Sequence, residues 1–119
     1  NYGEAVVSDC QLVDNSAATD GGAIYLGDDG WMEIGEGTDV NNNHSGRDGG
    51  GIFVGTNGSF WINDEGMQFN TAGNNGGGIY LIGTLIAESA DIDRNEAAEY
   101  GGGLYPGSTR LSLLSFLRE

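Results

Sequence analysis

The sequence predicts an all-β fold: a right-handed, single-stranded parallel β-helix (a solenoid) with three short strands per rung, about four and a half rungs, in one domain over residues 1–119. Three observations predict it. A 14-residue block occurs four times, at 12–25, 40–53, 67–80 and 92–105, each with an Asn six residues before a Gly pair. Glycine supplies 23 of 119 residues and follows that repeat, which is too much for a helical bundle and lacks the every-third-residue period of collagen. Apolar residues between turn signals recur with period two rather than 3.6. Units of this size are too thin to hold a core alone and must stack to bury one.

The elements follow in order. Linkers of 14, 13 and 11 residues separate the blocks, so the full repeat is 28, 27, then 25 residues. Gly27-Asp-Asp-Gly30 and Gly55-Thr-Asn-Gly58 are strong turn signals, shortened to Ile82-Gly83-Thr84 in the third linker. One strand centres on Ile24, Ile52, Ile79 and Leu104, and a second on Ile34, Ile62 and Ile86. The third runs up to Leu12, Val40, Met67 and Ile92. Stacked turn on turn at about 4.8 Å, equivalent residues form vertical files. The Ile24 and Leu12 files should be internal and aliphatic.

Asn15, Asn43, Asn70 and Asn95 stand where a strand must turn a corner. An amide that donates and accepts can bond to the bend and to the Asn stacked on it, and Asn tolerates a left-handed backbone. A structural ladder is therefore expected. Asn43-His-Ser45 matches the N-glycosylation pattern but falls on this ladder, whereas Asn57-Gly-Ser59 lies in a turn. The small residues that follow, such as Ala17 and Ser45, suit a tight bend. The glycine pairs suit backbone conformations closed to other residues. No phosphate-binding loop is present, since the chain contains no lysine.

If Ile24 points inward, Tyr25 points outward, and Phe53, Tyr80 and Tyr105 join it in an aromatic file. Ala23, Gly51, Gly78 and Gly103 would run beside it as a shallow outward groove. Trp61, between Phe60 and Ile62, should also be exposed, and Trp31 could cap a rung. Such rings form a candidate platform for a sugar chain or an extended peptide; packing of the rings within the fold is the competing reading.

Eighteen acidic residues against four arginines give a net charge of -14. That surface repels nucleic acid and anionic lipid, and no apolar run is long enough for direct membrane insertion. No cofactor is expected other than calcium, for which Asp28 and Asp29, with Asp20 and Asp48, are the candidates against the plainer reading of solvated carboxylates. One His and one Cys cannot complete a zinc site. Cys10, beside an apolar repeat position, reads as a small buried thiol. No catalytic residues are assigned: Arg47 and Arg94 face no evident carboxylate cluster, and His44 reads as an exposed turn residue.

Gly21-Gly-Ala-Ile24 and its variants at 49–52, 76–79 and 101–104, alternating with x-x-x-Asn tetrads, resemble the repeats of polymorphic outer membrane proteins, a family of bacterial autotransporter adhesins. All four Asn match; Leu12, Val40, Met67 and Ile92 stand where that family usually has Phe. The resemblance implies a right-handed β-helical stalk used in adhesion, in keeping with the crossover rule. The expectation is a non-catalytic extracellular or cell-surface segment with a lateral binding face for a glycan or a host or neighbour surface protein. The alternatives are a polysaccharide lyase or glycoside hydrolase of the β-helix type, needing facing acids beside an arginine, and an inert structural spacer. Uncapped strand edges at both ends point to adjacent β-helix segments or another chain as partners, and to a segment of a longer stack.

Overall fold

The computed structural model describes residues 4–35, 37–63, 66–88, 90–106, 112–113 and 117–118. The chain coils as a right-handed parallel β-solenoid. Its first coil holds β1 (Glu4–Val7), β2 (Gln11–Val13), β3 (Ser16–Ala17) and β4 (Ile24–Leu26). The second holds β5 (Trp31–Ile34), β6 (Asp39–Asn41), β7 (His44–Ser45) and β8 (Ile52–Val54). The third holds β9 (Ser59–Asn63), β10 (Gly66–Gln68), β11 (Thr71–Ala72) and β12 (Ile79–Leu81). The fourth holds β13 (Thr84–Glu88), β14 (Ala90–Asp93), β15 (Glu96–Ala97) and β16 (Leu104–Pro106), with β17 (Ser112–Leu113) and β18 (Leu117–Arg118) beyond it.

Four parallel sheets result. The first is β1-β5-β9-β13-β17, the second β2-β6-β10-β14-β18, the third β3-β7-β11-β15 and the fourth β4-β8-β12-β16. Each coil thus has four strands where the sequence predicts three. The extra strand is the two-residue step after each ladder Asn, expected to be only a bend. His44 N–H donates to Asn15 O at 2.9 Å and Gly46 N–H to Ala17 O at 3.0 Å, so even this short step pairs with its neighbour. His44 therefore lies on a strand, exposed, with Nδ1 2.8 Å from Thr71 Oγ1.

Register follows the apolar files. Ile24, Ile52, Ile79 and Leu104 align through the fourth sheet, and Leu12, Val40, Met67 and Ile92 through the second. The first sheet departs from expectation by one residue at its fourth strand. Ile62 pairs with Ala87, and Ile86 stands with Trp61. The shortened third turn shifts β13, and strand alternation then places Leu85 inward beside Phe60, both fully buried. Ile34, Val40, Ile52, Val54, Ile62, Met67, Ile79, Leu81 and Ile92 complete one continuous core.

The corner before each Asn is made differently from the expectation. The left-handed residue is the one preceding the ladder: Asp14, Asn42, Phe69 and Arg94 have φ of 59°, 58°, 59° and 56°. Phe69 is a bulky residue in a region that disfavours a Cβ. Its exposed ring has the Arg94 guanidinium 5.8 Å from its centroid, a contact that orders the corner from outside.

Cys10 is exposed, contrary to the buried thiol expected. Its register neighbour one coil on, Thr38, is 1% exposed. The position is thus enclosed within the stack, and Cys10 is open because no described strand lies below β2. For the same reason Leu12, Ile24 and Leu26 are only half-buried where their counterparts in the next coil are buried.

Candidate functional site: the lateral ring file and its polar neighbour

The fourth sheet builds an aromatic file on its outer side. Ile52 and Val54 are fully buried, so Phe53 between them projects the other way, as do Tyr25, Tyr80 and Tyr105 in register with it. Ring centroids are 5.0 Å apart for Tyr25 and Phe53, 5.3 Å for Phe53 and Tyr80, and 5.3 Å for Tyr80 and Tyr105. Interplanar angles are 1°, 2° and 10°. Each inner ring therefore has a neighbour over both faces. Phe53 is 8% exposed, against 59% for Tyr25 at the end of the file. What the file offers laterally is ring edges and hydroxyl groups. Among the described residues no ring stacks on the outer face of Tyr25.

Beside the rings runs a second file that the sequence reading only half found. Asp20 Oδ1 accepts from the Asp48 N–H at 3.2 Å, and Asp48 Oδ1 accepts from the Asn75 N–H at 3.1 Å and its Nδ2 at 3.3 Å. Asn75 is bridged in turn to Tyr100, whose exposed ring leans on Tyr105 with centroids 6.3 Å apart and planes at 36°. Tyr100 was missed. The available signal was position: it occupies the place before the Gly pair held elsewhere by Asp20, Asp48 and Asn75.

Arg47, expected to face no carboxylate cluster, has Nε 4.0 Å from the single carboxylate oxygen Asp20 Oδ1. The contact is long and largely exposed, which makes it weak. The Tyr80 hydroxyl has its pKa pushed above the usual 10.0, first by burial and then by the charges of Asp48, the neighbouring Tyr105 and Asp20, with Arg47 opposing. A tyrosine held protonated in this way donates a hydrogen bond at neutral pH and is a poor general base.

The same shift has a stability consequence. Below pH 10 the hydroxyl is neutral in both folded and unfolded chains. Above it the unfolded chain ionises first, so folding stability falls as pH rises through the folded value. Thermal midpoints recorded from pH 8 to pH 11.5 should decline less steeply for Tyr80→Phe than for wild type, and parallel curves would refute the assignment.

The shallow groove expected beside the rings is not formed. A Cβ placed on Gly51 would lie 3.3 Å from Asn70 Cγ, and one on Gly78 would lie 3.1 Å from Asn95 Nδ2. This file therefore faces the interior and the asparagines. Simple alternation fails because the chain bends there: the N–H groups of Ala23 and Ile24 both donate to Gly51 O, at 2.9 and 3.0 Å. Trp61 is exposed as expected, but on the first sheet, away from the ring file.

Asn15, Asn43, Asn70 and Asn95 form a continuous amide ladder. Nδ2 of Asn15, Asn43 and Asn70 donates to Oδ1 of the next Asn at 3.1, 2.9 and 2.9 Å. The backbone N–H of each donates to the same oxygen at 3.0, 2.9 and 2.9 Å. Asn43, Asn70 and Asn95 also donate through Nδ2 to Leu12 O, Val40 O and Met67 O, at 2.9, 2.9 and 3.0 Å. At the buried Asn43 and Asn70 both amide donors and the carbonyl's two acceptor positions are used, leaving nothing for a ligand.

Asp28 and Asp29 belong to the turn between the fourth and first sheets. Asp28 Oδ1 accepts the Thr56 N–H at 3.0 Å, and Asp29 N–H donates to Thr56 O at 2.9 Å, so both hold one turn over the next. Asp29 adopts the left-handed conformation that closes the turn, as Asn57 does one coil on. Among the described residues no three His, Cys, Asp or Glu side chains come together as a metal centre requires.

These features define the class: a parallel β-solenoid of paired Gly-Gly and Asn motifs, with an internal amide ladder and an external ring ladder. The family model of the Chlamydia polymorphic membrane protein repeat matches residues 9–27, the span holding Asn15 and Gly21–Ile24. The chain is similar to that repeat over one of its four copies, and its fold is consistent with a surface or adhesion-type repeat protein. Comparison with curated proteins and with solved structures gives no match.

Proposed function

We propose that this chain is a non-catalytic, extracellular or cell-surface solenoid segment that presents its ring file and the adjoining polar file as a lateral attachment face, with a glycan chain as ligand. The single observation that carries this reading is the outward stack Tyr25–Phe53–Tyr80–Tyr105, a rigid aromatic array held on one wall of the solenoid. Because ring faces cover one another, recognition works through edges: tyrosine hydroxyls, with Tyr80 as a donor, and the carboxylates of Asp20 and Asp48 accepting from sugar hydroxyls. An extended ligand laid along the axis meets one ring and one polar group per coil. The acidic surface and the similarity at residues 9–27 support a location outside the cell. Nucleic acid is disfavoured as a partner by a charge of -14, and among the described residues no helix is long and apolar enough to cross a membrane.

A glycan array probed with wild type, Tyr25→Ala and Tyr80→Ala tests the reading. Tyr80→Ala opens a gap in the middle of the file and should weaken binding of any wild-type ligand at least about tenfold, with thermal unfolding checking that each variant is folded. Equal binding by all three proteins refutes the platform. Binding of a surface protein with no glycan bound would move the ligand class, and no ligand of either kind would favour the spacer reading, to which the burial of Phe53 already lends weight.

A further inference from the structure

The outer face of the first sheet carries both tryptophans of the chain. Ile34, Phe60, Ile62 and Leu85 are buried, so strand alternation turns Trp31, Glu33, Ser59, Trp61, Thr84 and Ile86 outward. Register sets Trp31 beside Ser59 and Glu33 beside Trp61, with Ile86 beside Trp61 one coil on. Neighbouring strands are about 4.8 Å apart and same-side residues along a strand about 6.8 Å apart. Trp31, Glu33, Ser59 and Trp61 are therefore the corners of one small patch, with indoles on one diagonal and a carboxylate and a hydroxyl on the other. Within the sheet β5 and β9 lie between β1 and β13, so the patch is a side wall with a described strand on either flank. Trp61 is 36% exposed, and among the described residues no ring or guanidinium lies on it. Nor does a described cation pair with Glu33: Arg47 lies near Asp20, and Arg94 over Phe69.

We propose that this patch docks an arginine side chain presented by an extended segment of a partner polypeptide. Two attractions converge on one spot. Tryptophan holds a cation on its face better than any other ring, and Glu33 beside it supplies the opposite charge. A planar guanidinium can lie flat on an indole and still turn its N–H edge to a carboxylate, which an ammonium cannot do. The Ser59 hydroxyl accepts from another of its N–H groups. Ile86, half-buried beside Trp61, takes an apolar side chain two residues along the peptide, on the same side as the arginine. A net charge of -14 draws a basic partner and repels an acidic one. This wall is separate from the ring file on the fourth sheet, and docking here neither requires nor excludes a glycan there.

Both tryptophans lie on this face, so intrinsic fluorescence reports binding without a label. The probe is acetyl-Gly-Arg-Gly-Ile-Gly amide, titrated into the full chain at low ionic strength. Saturable one-to-one binding is expected. Replacing the peptide's arginine with citrulline, which keeps the shape and loses the charge, should weaken it at least about tenfold. Glu33→Gln should weaken the arginine peptide at least about threefold and leave the citrulline peptide unchanged. Glu96→Gln removes the same charge from an exposed position on the third sheet and should change neither. Trp61→Leu keeps an apolar side chain without a ring and should weaken binding at least about tenfold, read from Trp31, with an unchanged far-ultraviolet circular dichroism spectrum. No saturable change, or equal affinity for the two peptides, overturns the proposal. So does equal loss in Glu33→Gln and Glu96→Gln, because diffuse charge would then be the attraction. Free arginine amide bound as tightly as the peptide, or self-association abolished by Trp61→Leu, also overturns it, since a small cation or a second copy would then hold the patch.

Discussion

Replacing Asn70 with alanine is expected to destabilise the chain by about 4 kcal/mol, since four partners lose a hydrogen bond worth about 1 kcal/mol each in a site closed to water. Those partners are the N–H and Nδ2 of Asn43, Val40 O and Asn95 Oδ1, and Asn70 itself is fully buried. Asn70→Asp should give no rescue. A carboxylate can still accept from Asn43, but it turns an oxygen on Val40 O and Asn95 Oδ1 where two donors stood, and it buries a charge. Urea denaturation of the three proteins measures this directly. A loss below about 1 kcal/mol for Asn70→Ala would mean that the ladder follows from the coil rather than holding it.

Gly50→Ala is expected to cost at least about 3 kcal/mol or to prevent folding, for a steric reason unrelated to hydrogen bonding. A Cβ at Gly50 would stand 2.2 Å from Gly77 O and 2.4 Å from Thr71 O. Both atoms are backbone, fixed by pairing along the stack, so neither can swing aside as a flexible side chain could. Gly27→Ala is the control. The nearest atom to its added Cβ is Tyr25 Cε1 at 4.0 Å, so this variant should match wild type within about 0.5 kcal/mol or exceed it slightly through reduced freedom of the unfolded chain. Urea midpoints for the pair settle it; equal losses at the two sites would show that glycine matters here for chain entropy rather than for space.

The solenoid was legible because its cause is periodic. A parallel stack requires like residues to fall on like, and the six-residue step from Asn to the Gly pair writes that requirement into the chain four times. The ring file was legible for the same reason, since strand alternation from a buried Ile leaves little choice. Three features were not. The left-handed corner carries Asp14, Asn42, Phe69 and Arg94, four unlike residues that share only a backbone conformation imposed by the fold. The Gly51 and Gly78 file points inward where the chain bends; at Ala23 and Ile24, and again at Gly51 and Ile52, two consecutive N–H groups converge on one carbonyl, a bend that no residue type announces. The polar file beside the rings hid its fourth member, because Tyr100 matches Asp20, Asp48 and Asn75 in place but not in chemistry. Cys10 is exposed because no described strand lies below β2, whereas Thr38, at the same position one coil on, is enclosed.

The amide ladder has a direction. Every side-chain link runs from the donor Nδ2 of one asparagine to the oxygen of the asparagine one coil later in the chain. A polarised column of this kind can gain or lose members without a change of pattern, but only one complete circuit at a time, because half a circuit would set an amide against a backbone corner. The gene's natural quantum of change is therefore a segment of 25 to 28 codons, and relatives should differ in height by whole storeys while keeping the same cross-section.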